Sequence, residues 1–366
     1  MTVTLWRFGR QRLTRIGTSR MAQGKQGIRR YEPGEFELTF PPADPCAAEA
    51  KTDDMLLIGK HAYLIEGTEK HTGNTSHIVL RGRQLAALAD RRQIIPDDAA
   101  GRDMPTGFDS VAGSTETVIK HYLDRHLVSP VNPARRIPCV RIAEDRNRGI
   151  QDDAYHARYV NLMETVNAIG KAARLSVCAG IDPAAGAVVL DVEGTNDRTA
   201  GGSSPLLLRM GDGRLDEMTE TSYVRSAANV FYASRAGDRY AYETLTQTYF
   251  SREQEPEGLE RMETSISVSV TQDAGQYAEM RENAEKVMPD YAPKRAVTCG
   301  MAAHLIFGED YNVGDVVCIA ADGGTIYEAE ITAVEITESG QSRAVSVTIG
   351  DPVETRFDRI KRKREV

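Results

Sequence analysis

Phe36-Glu37-Leu38-Thr39-Phe40 alternates apolar and polar side chains and then runs into Pro41-Pro42. Period-two alternation is the mark of a half-buried strand, and proline, with no N–H, cannot donate to a ladder. The same pattern of short run and hard stop recurs. Met55-Leu56-Leu57-Ile58, the turn Gly59-Lys60 and residues 62–66 predict a hairpin, and residues 77–81 a further strand. Gly82 then precedes a short amphipathic helix with Leu85, Leu88 and Ala89 on one side. Several short strands joined by turns predict a small barrel or sandwich.

Residues 94–113, rich in Pro, Asp and Gly, predict a linker or long loop. Ser114 can cap the helix that follows, with Glu116 in its first turn. Val118, Ile119, Tyr122, Leu123 and His126 supply its apolar face, and Pro130 and Pro133 end it. A second helix is marked by Tyr159, Leu162, Met163, Val166, Ile169 and Ala173 at three- and four-residue steps. Residues 175–178 and 188–192 predict a hairpin around Asp182-Pro183, and the glycine-rich stretch 194–205 a boundary. Strands are expected at 229–233 and 265–270, and a helix at 276–288 closed by Pro289 and Pro293. The end of the chain is again β, at 316–319, 326–336 and 345–349, with turns at Asp322-Gly323 and Ser339-Gly340.

This pattern divides the chain into an N-terminal β-barrel-like domain (1–95), an α/β domain (96–199), a mixed α/β connecting domain (200–295), a C-terminal β domain (296–352) and a basic tail (353–366). The fold class expected is α+β and β-rich, with two small barrel- or sandwich-like domains and an intervening α/β domain.

At 366 residues and 40.2 kDa the chain can bury a sizeable core. No apolar run approaches the roughly 18 residues that suggest a membrane-spanning helix, so no stable membrane insertion is expected. Cys46, Cys139, Cys178, Cys299 and Cys318 are odd in number and never spaced Cys-x-x-Cys, which argues against a disulfide framework and against zinc. Cys178 and Cys318 sit in apolar strand-like runs and read as small buried hydrophobes. A net charge of -8 gives no general attraction to nucleic acid, yet both ends are basic. Arg7, Arg10, Arg12, Arg15, Arg20, Lys25, Arg29 and Arg30 meet no acid before Glu32. Trp6, the only tryptophan, reads as a core or subunit anchor.

No catalytic, cofactor or metal residue is expected. His121 and His126 are five apart, so on an α-helix they diverge by about 140°. His71 and His77 flank the Gly73-Asn74 turn and read as solvated. The pairs Asp53-Asp54, Asp97-Asp98 and Asp152-Asp153 lie in polar stretches, and adjacent carboxylates on an extended chain point to opposite sides. Gly211-Asp212-Gly213-Arg214 lacks the Lys-Ser/Thr of a phosphate loop, and neither Gly-x-Ser-x-Gly nor His-Glu-x-x-His is present.

Taken in order, several pieces resemble a known family. They are Arg29-Arg30-Tyr31-Glu32-Pro33-Gly34-Glu35-Phe36-Glu37-Leu38; the hairpin from Ile58 to Glu66; Gly82 to Arg92; the helix from Thr117 to Arg125; Asn132-Pro133-Ala134-Arg135-Arg136-Ile137-Pro138; and, near the end, Tyr311-Asn312-Val313-Gly314-Asp315-Val316-Val317 with Val347-Thr348-Ile349-Gly350. Over roughly residues 3 to 352 the chain resembles the baseplate-hub (tail-tip) proteins of long-tailed, siphovirus-type bacteriophages, as known from actinobacterial siphophages. The resemblance implies a phage tail-hub-like fold and a structural virion component of the tail, with no catalytic role, made and assembled in the host cytoplasm. It implies a homotrimeric ring in which each subunit gives two barrel-like domains. Six similar surfaces would then match a sixfold tail tube and leave a channel for phage DNA. The partners implied are further copies of the chain, a distal tail or tail tube protein, a tape measure protein and receptor-binding or spike proteins. Tyr31, Gly34, Phe36, Gly314 and Asp315 are the candidate structural motif, and Arg7, Arg10, Arg12, Arg15, Arg29 and Arg30 the candidate interface or channel residues. The alternatives weighed are a tail-associated cell-wall hydrolase and a receptor- or carbohydrate-binding tail protein.

Overall fold

The structure is a computed structural model that describes residues 2–96, 107–224, 227–235, 242–246, 256–268, 276–320, 326–340 and 342–350. The acid pair Asp97-Asp98, the turn Asp322-Gly323 and the basic tail at 353–366 lie outside the described residues. The chain divides into two compact units, one of Met1–Met218 with Cys299–Thr348 and one of Thr219–Thr298 with Ile349–Val366.

Seven strands open the first unit: β1 (Thr2–Arg7), β2 (Thr14–Arg20), β3 (Gln23–Arg29), β4 (Glu35–Phe40), β5 (Met55–Ile58), β6 (His61–His71) and β7 (His77–Gln84). They pair antiparallel in the order β3-β4-β7-β6-β5-β1-β2. In β4 the alternation is realised as written: Phe36, Leu38 and Phe40 are buried while Glu35 and Glu37 face solvent. The hairpin at β5–β6 is also where the sequence places it. Val3, Leu5, Phe36, Leu38, Phe40, Leu56, Tyr63 and Leu80 fill one core, against which the short helix α1 (Pro45–Glu49) adds Cys46 and Ala47.

Residues Leu85–Arg91 form a 3-10 helix in which Leu85, Ala86, Ala87, Leu88 and Ala89 are all buried. The one-sided helix expected here is instead apolar on every side along its first five residues. The reason is packing: it contacts β6 and β7, α3 (Leu162–Ala172) and β13 (Ser176–Asp182). Between them the chain lays down β8 (Gln93–Ile94), β9 (Asp109–Ser114), α2 (Thr115–Leu123), β10 (Val140–Ile142), β11 (Gln151–Ala157) and β12 (Val160–Asn161), and after β13 comes β14 (Ala187–Glu193). Ser114 Oγ accepts from the Thr117 N–H at 3.2 Å and Asn161 Oδ1 from the Glu164 N–H at 3.1 Å, so both main helices start at side-chain caps. Tyr159 therefore precedes α3, 49% exposed, and is no part of its apolar face. The stretch read as a linker carries β9, which pairs with β11. β13 and β14 form the expected hairpin, with β10 parallel to β14. Trp6 and Met55 from the strand layer join Val118, Tyr122, Leu162, Val166, Val188 and Leu190 in a second core, which makes Trp6 a core residue.

β15 (Asn196–Arg198), β16 (Leu207–Arg209) and β17 (Leu215–Tyr223) carry the chain towards the second unit. There β18 (Val230–Arg235) pairs antiparallel with β19 (Tyr242–Thr246) and parallel with β20 (Glu263–Val268). Helix α4 (Gln276–Val287) buries Met280 and Ala284 among Phe231, Ala233, Ile266 and Val268. β21 (Lys294–Met301) leads back.

In the first unit β22 (Asp315–Ala320) takes both β15 and β16 as parallel partners and pairs antiparallel with β23 (Ile326–Ser339). β23 then runs antiparallel to β3, from Ala333 opposite Arg29 to Ser339 opposite Gln23. Gly340, at φ +60°, makes the turn into β24 (Ser342–Gly350). The two ends of the chain thus share one continuous sheet, and no pairing among the described residues closes it into a barrel.

Candidate functional site

Arg30 leaves the end of β3 and turns inward, only 4% exposed. Its Nε forms an ion pair with Glu330 of β23, and its Nη2 donates to the carbonyls of Arg174 at 2.9 Å and Glu193 at 3.2 Å. Tyr31 donates its hydroxyl to the other oxygen of Glu330 at 2.8 Å. Burial pushes the Tyr31 phenol up to about 12 and raises the Glu330 carboxyl, against which the Arg30 charge works. A buried guanidinium needs such partners, and its planar fork reaches three of them at once.

The C-terminal motif packs against the same group. Gly314, at φ +94°, lies so close that a Cβ there would come within 2.6 Å of Arg30 Nη1. Asp315, 2% exposed, heads β22. Its carboxylate accepts from the Asn312 N–H at 2.9 Å, Asn196 Nδ2 at 3.1 Å and Arg198 Nη1 at 3.3 Å, tying β15 and the 312–315 turn together. On the other side of Arg30, the Oε1 of Gln84 accepts from the N–H groups of Arg29 (2.8 Å) and Gly34 (2.7 Å), and the Gln84 N–H donates to the Gly34 carbonyl at 2.8 Å. A Cβ on Gly34 would stand 2.4 Å from the Gly27 carbonyl oxygen. Phe36 follows, its ring edge-on to Tyr63 at 5.3 Å. Of the motif residues, Tyr31 meets Arg30 through Glu330 and Gly314 packs directly against it, while Phe36 lies in the strand-layer core.

The remaining arginines divide. Arg7 meets Asp54 through two hydrogen bonds of 2.7 Å and also pairs with Glu49, so it braces its own subunit. Arg29 is exposed and pairs with Glu32. Arg10, Arg12 and Arg15 are exposed, and none makes an ion pair among the described residues. Arg7 and Arg30 thus have their charges met within the chain.

Two charge clusters escaped the sequence. Asp109, 6% exposed, accepts from His121 Nε2 and His126 Nε2, each at 2.9 Å. Histidines five apart converge because residues Asp124–Val128 form a π-helical turn, in which the Ser129 N–H reaches back to the Asp124 carbonyl at 2.7 Å. Burial alone would raise the Asp109 carboxyl, but the two histidine hydrogen bonds outweigh it and hold it well below the usual range. Glu116, fully buried in the first turn of α2, meets Lys120 at 2.8 Å and Arg148 at 2.8 Å. Burial would raise it too, yet these partners bring it down to about 2.

A cleft of 560 Å³ is lined by Lys60, His61, Cys178, Glu193 and Phe307, among others. Burial and the Lys60 charge bring His61 down to about 4, and burial pushes the Cys178 thiol well up. Cys178 is only half-buried by exposure, whereas Cys318 is buried as expected. Among the described residues no three or more His, Cys, Asp and Glu side chains are placed to hold a metal ion, and no helix is long and apolar enough to cross a membrane.

The fold is one shared with solved bacteriophage tail proteins. The 43 kDa tail protein of prophage MuSo2 from Shewanella oneidensis superposes with a TM-score of 0.56 at 13% identity, over 95% of this chain and 98% of that one. The tail protein from Neisseria meningitidis MC58 gives 0.55 at 13% identity, over 96% of each chain. The prophage tail protein gp18 from Listeria monocytogenes EGD-e gives 0.52 at 11% identity, over 100% and 99%. At these identities the likeness concerns the fold. The sequence itself matches the profile of the siphovirus ReqiPepy6 Gp37-like proteins over residues 13–351, and the chain belongs to that family. No curated protein matches it.

Proposed function

We propose that the protein is a hub of the siphovirus tail tip: copies of it close into a homotrimeric ring that joins the tail tube to the host-engaging parts. The observation that carries this reading is the family match across residues 13–351. The Arg30 region supports it, because a ring under load needs subunits whose two chain ends cannot part. In this reading the β-rich segments at 1–95 and 296–352 form the ring wall, with 96–199 and 200–295 as the intervening and connecting parts. The exposed Arg10, Arg12 and Arg15, which make no ion pair among the described residues, face a neighbouring subunit or the DNA channel. Distal tail or tail tube protein, tape measure protein and receptor-binding or spike proteins are its partners, in a virion assembled in the host cytoplasm. Its work is mechanical, with no chemical step. Light scattering on the purified chain, alone and with its tail tube and distal tail proteins, tests the reading. A trimer in either case is expected, and a strict monomer in both would overturn it.

A further inference from the structure

The far end of the β6–β7 hairpin carries an unexplained pair. His71 stands directly opposite His77 in the antiparallel register, and the rings stack 4.3 Å apart at 14°. His77 Nδ1 lies 2.7 Å from the carbonyl oxygen of Thr75. An oxygen there can only accept, so the neutral ring carries its proton on Nδ1 and keeps a lone pair on Nε2. His71 Nε2 lies 3.3 Å from Glu69 Oε2, which by the same logic leaves the lone pair on its Nδ1. Two neighbouring imidazoles, each with one nitrogen tied to an oxygen and the other bare, is the arrangement in which histidines hold a metal.

We propose that this hairpin end binds a divalent first-row transition ion, of the zinc or nickel class, through His71 and His77. Imidazole donors select these ions over magnesium and calcium. Two nitrogens at about 2.0–2.1 Å from a tetrahedral ion stand about 3.3 Å apart. The two rings now stack nearly parallel with centroids 4.3 Å apart, so their lone pairs run side by side, and the exposed His71 side chain, 49% accessible, rotates to bring the two nitrogens together. No third ligand-type side chain converges on the pair as it stands, so water fills the remaining positions. The groups facing the site are Glu69 and, behind it, Arg81, which bridges Glu69 and Glu37. Glu69 partly offsets the ion's charge, while Arg81 limits the affinity. Binding would cross-link β6 to β7 beside their turn.

Calorimetric titration of the full chain with zinc chloride, in a non-chelating buffer near pH 7.5, tests this. One ion per chain is expected, with His71→Gln and His77→Gln each weakening binding about tenfold or more. Glu69→Gln should weaken it less, and His156→Gln not at all. Absence of binding at millimolar zinc would overturn the proposal, as would unchanged binding in both hairpin variants. Far-UV circular dichroism confirms that each variant is folded.

Discussion

Arg30 and Gly314 come from opposite ends of the sequence and touch: a Cβ on Gly314 would lie 2.6 Å from the arginine's Nη1. This contact explains why a glycine precedes Asp315 and why an arginine stands in the N-terminal motif. The glycine makes room, and its φ of +94° suits no residue with a side chain.

Gly314→Val should therefore strain the backbone and displace the guanidinium. Breaking a buried pair costs about 3–5 kcal/mol, so a loss of this order in urea unfolding is expected. Gly67→Ala is the control. Its added carbon would meet nothing closer than Arg81 Cβ at 3.9 Å, and it should shift stability by no more than about 1 kcal/mol.

Arg30→Ala leaves Glu330 buried without its partner and should cost about 3–5 kcal/mol. Arg30→Lys should recover only part of that, because an ammonium lacks the fork that reaches Glu330 and both carbonyls. Equal stability of the lysine variant and the parent would show that the fork is unimportant.

Gly82→Ala tests the strand layer separately. A Cβ there would fall 1.8 Å from the Leu64 carbonyl oxygen, where β6 and β7 close beside the irregularity at Ile65–Gly67. Backbone cannot give way cheaply, so the variant should be recovered largely insoluble, or melt many degrees lower.

Acid should loosen the α2 region first. Glu116 and Asp109 are both held below their ordinary carboxyl values, so their contribution is complete above the usual carboxylate range and lost as pH falls through the folded values. For Glu116 that window runs from its model-peptide value of 4.5 down to about 2. Stability measured between about pH 5 and 3 should decline, and the decline should be shallower in Glu116→Gln, which starts lower. A parallel decline in both proteins would contradict the assignment.

Much of this fold was legible because its signals are local. β4 shows its period in five residues, α2 announces its cap at Ser114, and Gly340 marks the last hairpin. What was missed depends on distance or on a local irregularity. Nothing near Arg30 in sequence points to Glu330 or Gly314, since β23 meets β3 only after the whole chain has folded. Asp109 sits in a Pro-, Asp- and Gly-rich stretch that reads as loop, and its role appears only once the π turn brings His121 and His126 to one side. A regular helix would have kept them apart. The motif residues Tyr31, Gly34, Phe36, Gly314 and Asp315 were picked out by resemblance, and it takes the structure to show that Tyr31 and Gly314 meet at Arg30.

The central claim is that copies of this subunit surround an axis at the end of a phage tail. Cryo-electron microscopy of intact virions, with the tail tip reconstructed without imposed symmetry, tests it most directly. The account predicts threefold density into which three copies of the larger unit fit around an open channel. Density showing a single copy beside the axis, or none of this chain at the tip, would contradict it.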